Sequence, residues 1–303
     1  MKLGAIDVGT NSCRMLVMEY SGGRYTELAR SQEITRLGAG VDQNRFLGRQ
    51  AVERTVAVIK SFTRMMAQYQ PTEINIVGTS ALRDVKNPQL LSNRLEEETG
   101  KRIKVISGAE EAGLIYQGVN LNLAEGDYLI IDIGGGSTEL IWSDTAGINY
   151  KSLDMGALRM TERYLENPQL PLTQQELAVM QKGIRAELGV VPEVNGETMA
   201  LVGTGGTVTT LAAIDLQMEA YDSKRIDRYC LTRARIAEIL SCLSRLSARE
   251  RSGIPGLQKG REEIIIAGTV ILAEIMTTFG FKEMTISEQG ILFGLIRELV
   301  NSL

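Results

Sequence analysis

Two short turns carry residue types suited to holding phosphate. Asp7-Val8-Gly9-Thr10-Asn11-Ser12 and Asp132-Ile133-Gly134-Gly135-Gly136-Ser137 each follow an apolar run and lead into another, Leu16-Val17-Met18 in one case and Leu140-Ile141-Trp142 in the other. Glycine lets backbone approach a ligand closely, and the amides and hydroxyls of Gly9, Thr10, Asn11, Ser12, Gly134, Gly135, Gly136 and Ser137 are donors for phosphate oxygens. One Asp-x-Gly turn is by default an ordinary tight hairpin turn; a matched pair reads as two loops clamping a phosphate chain. Arg14 and Glu139 stand at equivalent turn exits with opposite charge. Glu139 and Asp132, with Asp7 as the matching carboxylate of the first turn, offer hard oxygen ligands for Mg²⁺ or another divalent cation, while Arg14 binds phosphate oxygens, unless Arg14 and Glu139 simply pair with each other.

Three more stretches fit the same chemistry. Gly78-Thr79-Ser80-Ala81-Leu82-Arg83-Asp84 follows a predicted strand and brings an arginine; Gly203-Thr204-Gly205-Gly206-Thr207 follows the corresponding strand and opens a helix, an anion site in its own right. Gly205 and Gly206 serve close helix packing equally well. Glu110-Glu111 opens a helix after Ser107-Gly108. Only one of two neighbouring carboxylates can point at a reacting water, and an acidic first turn also complements the helix dipole.

Composition narrows the chemistry further. The 303 residues include no histidine, which removes imidazole acid/base catalysis, histidine-dependent nucleophiles and histidine-ligated metals together. Carboxylates, Lys/Arg, backbone amides and a hard cation remain. The net charge of −4 gives no global attraction to nucleic acid, so an anionic substrate must be held locally. No apolar run approaches a membrane span and no signal peptide is readable, so a cytoplasmic protein is expected. Cys13, Cys230 and Cys242 have no metal-binding or disulfide-framework spacing.

The elements that position these residues are duplicated. The two turns align without a gap at an offset of 125 residues, and Ile76-Val77-Gly78-Thr79 falls on Leu201-Val202-Gly203-Thr204 at the same offset. Each copy reads as strand, glycine turn, returning strand and third strand, the third around Tyr25 to Arg30 and Ile148 to Leu153. Helices follow at Gln50 to Tyr69 and, behind a Thr173…Glu176 capping box, at Thr173 to Leu188. Strands at Ile74 to Val77 and Met199 to Val202 complete mixed α/β units. Ala109 to Asn122 reads as a helix, as do about Gly260 to Phe279 and the segment from Gly290 onward, with a short strand near Met284 to Ile286 between them. The expected boundary is Leu123 to Asp127, giving domains 1–124 and 125–303, with the terminal helix free to pack back on the first domain and a cleft between the two.

Taken in order, the motifs at Asp7 to Ser12, Gly78 to Arg83, Ile106-Ser-Gly-Ala-Glu-Glu111-Ala, Asp132 to Glu139 and Gly203 to Thr207 resemble the exopolyphosphatase/guanosine-pentaphosphatase family along nearly the whole chain. The resemblance implies an α/β fold of two duplicated actin-like, ribonuclease H-like domains. It also implies Glu111, rather than Glu110, as catalytic base, Asp132 and Glu139 as metal-linked carboxylates, and Arg14 and Arg83 as phosphate contacts. The chain looks like the short form, without the additional C-terminal phosphohydrolase domain, and a homodimer is implied by the resemblance alone. One departure is Gly290-Ile291-Leu292-Phe293-Gly294, where relatives often read Gly-Leu-Arg-Glu-Gly; a polar role there is put in doubt.

The expected activity is Mg²⁺-dependent hydrolysis of terminal phosphate from inorganic polyphosphate, with no nucleic-acid or membrane partner. Guanosine pentaphosphate offers the same terminal phosphoanhydride and is the alternative substrate. An ATP-binding kinase on this fold, or a non-catalytic nucleotide or polyphosphate sensor, is the competing class.

Overall fold

The computed structural model describes residues 1–120, 123, 126–144, 147–191 and 194–302. Contacts divide the chain into Met1–Leu121 with Gln289–Leu303, and Asn122–Glu288. Part of the expected boundary, residues 124 and 125, lies outside the described residues.

The first unit opens with an antiparallel meander, β1 (Lys2–Val8), β2 (Ser12–Ser21) and β3 (Arg24–Ile34). It continues through α1 (Val41–Asn44), α2 (Arg49–Ala67), β4 (Glu73–Gly78), α3 (Ser80–Arg83), α4 (Gln89–Thr99), β5 (Lys104–Val105) and α5 (Gly108–Val119). The sheet order is β3-β2-β1-β4-β5, with β4 parallel to both neighbours. Central β1 is buried on both faces, which is why Leu3 to Val8 reads as a run and not an alternation. Helix α2 buries Val52, Val56, Ile59, Phe62 and Met66, the stripe its spacing predicts.

The second unit repeats this plan with β6 (Tyr128–Ile133), β7 (Thr138–Asp144), β8 (Gly147–Leu153), α6 (Ala157–Tyr164), α7 (Gln174–Leu188), β9 (Ala200–Thr204) and α8 (Gly205–Asp215). Then come α9 (Ser223–Ile226), β10 (Cys230–Thr232), α10 (Arg233–Ser244), α11 (Ala248–Arg251), α12 (Ile265–Thr278) and β11 (Glu283–Ile286). The order β8-β7-β6-β9-β11-β10 matches the first sheet strand for strand, with β10 added at the edge. These are two duplicated α/β domains with actin-like topology.

The repeat holds at the turns. Asp7 lies opposite Arg14 across β1 and β2, and Asp132 lies opposite Glu139 across β6 and β7. It slips at the next strand: Asp7 pairs with Val77, whose counterpart at an offset of 125 is Val202, yet Asp132 pairs with Thr204. The slip is two residues, so the same side chains keep facing the core.

One expectation needs adjustment. Helix α12 begins at Ile265 and not near Gly260, because Gly260 takes φ +89° and residues 261–264 form turns before the helix starts. The terminal helix, α13 (Ile291–Ser302), belongs to the first unit, where it crosses α5 at backbone contact. A Cβ on Gly118 would meet Gly290 O at 2.1 Å, and one on Gly294 would meet Leu114 O at 2.0 Å. Leu292 and Phe293, the apolar departure from the resemblance, are both buried, with the Arg30 guanidinium 5.4 Å from the Phe293 ring centroid. Cys13 is buried, which pushes its thiol up to about 12, while Cys230 and Cys242 are exposed; all three are free. Among the described residues no helix is long and apolar enough to cross a membrane.

Candidate functional site

Both turns close with one bond. The Gly9 amide donates to Ser12 O and the Gly134 amide to Ser137 O, each at 3.0 Å. The chain leaving the third strand then ties the turn carbonyls back. Thr10 O accepts from the Gly38 amide at 2.8 Å, and Asn11 O from the Thr35 and Arg36 amides at 3.0 and 2.9 Å. Gly134 O accepts from Ala157, and Gly135 O from Leu158 and Arg159. A trans peptide points its N–H away from its C=O, so tying the carbonyls to one side turns the intervening amides to the other. Such a row of amides is an anion-binding concavity.

In the first unit the Asp7 carboxylate accepts from Arg14 Nε at 2.9 Å and Nη2 at 2.6 Å. Its other oxygen, Oδ1, is buried without a protein partner, and so are both polar atoms of the Asn11 side chain. Buried polar atoms left unmatched cost about 1–3 kcal/mol each, so these mark where a ligand or water is needed. The Thr10 hydroxyl is 3.0 Å from that of Ser80 at the start of α3 and fixes the turn to that segment. Glu111 is buried and accepts from Arg83 Nη1 at 2.9 Å; the same nitrogen donates to Ile106 O at 3.1 Å.

The structure separates the two neighbouring glutamates. Glu110 is the third residue of α5 and completes a capping box, receiving the Ser107 amide at 2.8 Å and the Ser107 hydroxyl at 3.0 Å. The Lys104 ammonium and the Ser107 bonds hold its carboxyl at about 2, well below the ordinary 4.5. Glu110 is therefore committed to starting the helix, one residue before the buried Glu111.

In the second unit Asp132 and Glu139 are buried and directly opposite on the ladder, and Ser152 donates to Glu139 Oε1 at 2.8 Å. Within the first unit Arg14 holds Asp7, and within the second Ser152 holds Glu139. The Asp132 carboxylate presses on the start of α8. Gly205 has φ +85°, and a Cβ there would lie 2.0 Å from Asp132 Oδ1. Beside it, a Cβ on Gly206 would strike the buried Arg261 guanidinium at 2.2 Å. Both glycines of this pair are thus needed for close approach. Thr207 is buried, and it is the group that a Cβ on Gly268 of α12 would meet.

Asp132 and Glu139 fit Mg²⁺. Among the described residues no three Asp, Glu, His or Cys side chains converge. Mg²⁺ is commonly held by one or two carboxylates, with waters and substrate phosphates completing an octahedron.

Sequence reasoning missed three residues here. Through space, Arg159 from α6 bonds Gly136 O, Arg261 from the turn before α12 lies against Gly206, and Ser152 from β8 bonds Glu139; nothing in their spacing sets them apart from surface polar residues.

Duplicated domains bearing phosphate-type turns and paired carboxylates define a phosphotransfer enzyme of the actin-like class. Residues 16–303 match the Ppx/GppA phosphatase family, and the chain belongs to that family. It is 30% identical to exopolyphosphatase 2 of Mycobacterium tuberculosis over 98% of both chains. It is 34% identical to a bifunctional 3-dehydroquinate synthase/phosphatase of Fusobacterium nucleatum, covering 98% of this chain but 46% of that protein. A guanosine-5′-triphosphate,3′-diphosphate pyrophosphatase of Aeromonas hydrophila is 30% identical over 96% of this chain and 59% of its own length. Among solved structures, an exopolyphosphatase-like protein superposes with a TM-score of 0.91 at 26% identity, covering 100% and 99% of the two chains. The Aquifex aeolicus family member gives 0.82 at 26% identity, covering 100% and 98%.

Proposed function

We propose that the chain is an Mg²⁺-assisted exopolyphosphatase that transfers the terminal phosphoryl group of inorganic polyphosphate to water. The observation that carries this reading is the pair of turns, each closed by an equivalent bond of its own, with carbonyls tied back on one side and amides turned to the other. Polyphosphate repeats one anionic group, and the chain repeats one anion-binding turn.

Each residue then has a task. Glu111, oriented by Arg83, directs and deprotonates the attacking water, a role worth roughly 10²–10⁴ in rate. The amides of Asn11 and Ser12 in the first turn, and of Gly135, Gly136 and Ser137 in the second, donate to phosphoryl oxygens. Arg14 contributes charge beside the first turn while Asp7 fixes its guanidinium. Mg²⁺, held by Asp132 and Glu139, would neutralise charge on the phosphoryl oxygens. The helix start at Gly205 and Gly206, with Arg261 behind it, adds a third donor set.

Guanosine pentaphosphate is the second reading, supported by the relative named for a guanosine substrate. Parallel kcat/KM values for long-chain polyphosphate, guanosine pentaphosphate and ATP separate the substrates. A preference for polyphosphate is expected; a preference for the guanosine compound would replace it with the second reading.

A further inference from the structure

The two turns hold back their last carbonyl by different means. In the first unit Asn11 O is met by two backbone amides, Thr35 and Arg36, and Arg36 adopts φ +48° in that segment. The residue 125 positions on is Gly136. Its carbonyl accepts from a side chain, Arg159 Nε, at 2.6 Å. A buried guanidinium thus stands where the first unit uses a pair of amides.

The surroundings make Arg159 the third of three clamps. Gly134 O takes the Ala157 amide at 2.9 Å, Gly135 O takes the Leu158 and Arg159 amides at 2.9 and 3.1 Å, and Gly136 O takes the Arg159 side chain. The amides paired with those carbonyls across each peptide plane are Gly135, Gly136 and Ser137, the ones the phosphatase reading gives to a phosphoryl group. Gly156 has no room for a side chain: a Cβ would lie 2.4 Å from Gly135 C, Gly135 O and Gly136 N, so the clamp is pressed directly on the turn. The Asp154 carboxylate, 4.0 Å from Arg159 Nη2, is largely solvent-exposed and screened.

We propose that Arg159 is a positioning residue for the phosphoryl-binding turn of the second unit: it fixes and polarises the Gly136–Ser137 peptide, and it places a cationic charge behind the anion without touching it. A bond donated by a cation is roughly twice as strong as a neutral one and polarises the accepting peptide, which makes its N–H a better donor. The proposal rests on the phosphatase reading of the same turn.

The test compares Arg159→Met, Arg159→Lys and Arg251→Met in the full chain. Arg251 is a second buried arginine of this unit that bonds a carbonyl, Pro168 O at 2.8 Å, outside the turn, so it controls for the loss of any buried arginine. Phosphate release gives kcat and KM; inorganic tripolyphosphate affinity is read by calorimetry on a Glu111→Gln background. Arg159→Met is expected to lower tripolyphosphate affinity about thirtyfold and kcat/KM by at least as much, with Arg159→Lys recovering part of both and Arg251→Met changing neither in the folded fraction. If Arg159→Met does not fold, Arg159→Lys decides: a loss of more than about twofold in affinity supports the proposal, and a change within twofold overturns it. Equal losses in Arg159→Met and Arg251→Met also overturn it, since the role would then be structural. If the unaltered protein releases no phosphate from any substrate, the functional reading falls and this proposal with it.

Discussion

Replacing Gly205 by Ala puts a methyl group where the Asp132 carboxylate already lies. A Cβ there sits 2.0 Å from Asp132 Oδ1, whereas non-bonded heavy atoms settle at roughly 3.5 Å, so the carboxylate must retreat by about 1.5 Å. The backbone adds its own cost, because φ is +85° and a left-handed conformation costs an L-residue roughly 1–2 kcal/mol. For a unit of this size that lowers Tm by about 2–8 °C. A shift of about 1 Å in a positioning group costs roughly 100-fold in rate. Gly280→Ala is the matched control: φ is +81°, with nothing within 4 Å of the added Cβ. The assay is phosphate release titrated with Mg²⁺, alongside thermal unfolding. Gly280→Ala should lose stability through the backbone alone and Gly205→Ala at least as much, but only Gly205→Ala should lose rate, by about 100-fold, and need more Mg²⁺ for half-maximal activity. Equal rates and equal Mg²⁺ dependence in the two would refute the placement of Asp132 at the working site.

Glu111→Gln should lower kcat by about 10²–10⁴ while tripolyphosphate binding by calorimetry stays within a few-fold, because the amide keeps the shape and loses the base. Gly118→Ala should destabilise the first unit by about 1–3 kcal/mol in urea unfolding, since its methyl meets the Gly290 backbone, which cannot swing aside. Acid should weaken the start of α5. The Glu110 carboxyl is held at about 2 in the folded chain against 4.5 ordinarily, so its contribution is present above pH 4.5 and is lost as pH falls toward 2. The group is half-exposed, so solvent screening limits the effect to under about 1 kcal/mol, and Glu110→Gln should flatten that part of the urea midpoint against pH.

What could be read from the sequence was what lies close along the chain. Two turns at one offset foretold two sheets of one order, because each turn joins neighbouring strands and carries its register with it. The stripe of α2 and the Thr173 capping box were equally local. The slip of β9 against β6 is invisible in the sequence, since pairing between strands so far apart along the chain is set by packing and not by the motif. Glu110 and Glu111 were inseparable by pattern; only the capping geometry shows which one the helix start consumes. Arg159 and Arg261 were missed because a buried arginine and a surface arginine look alike until the fold brings one against a glycine. The early start assigned to α12 came from counting periodicity through a turn that Gly260 allows.

The reaction itself is tested by incubating purified protein with Mg²⁺ and polyphosphate of one defined length, then resolving orthophosphate and the remaining chains. The account predicts orthophosphate as the first product, with chains shortened one phosphate at a time, and no release once the metal is chelated. Fragments of intermediate length without orthophosphate, or no cleavage of polyphosphate with Mg²⁺ present, would contradict it.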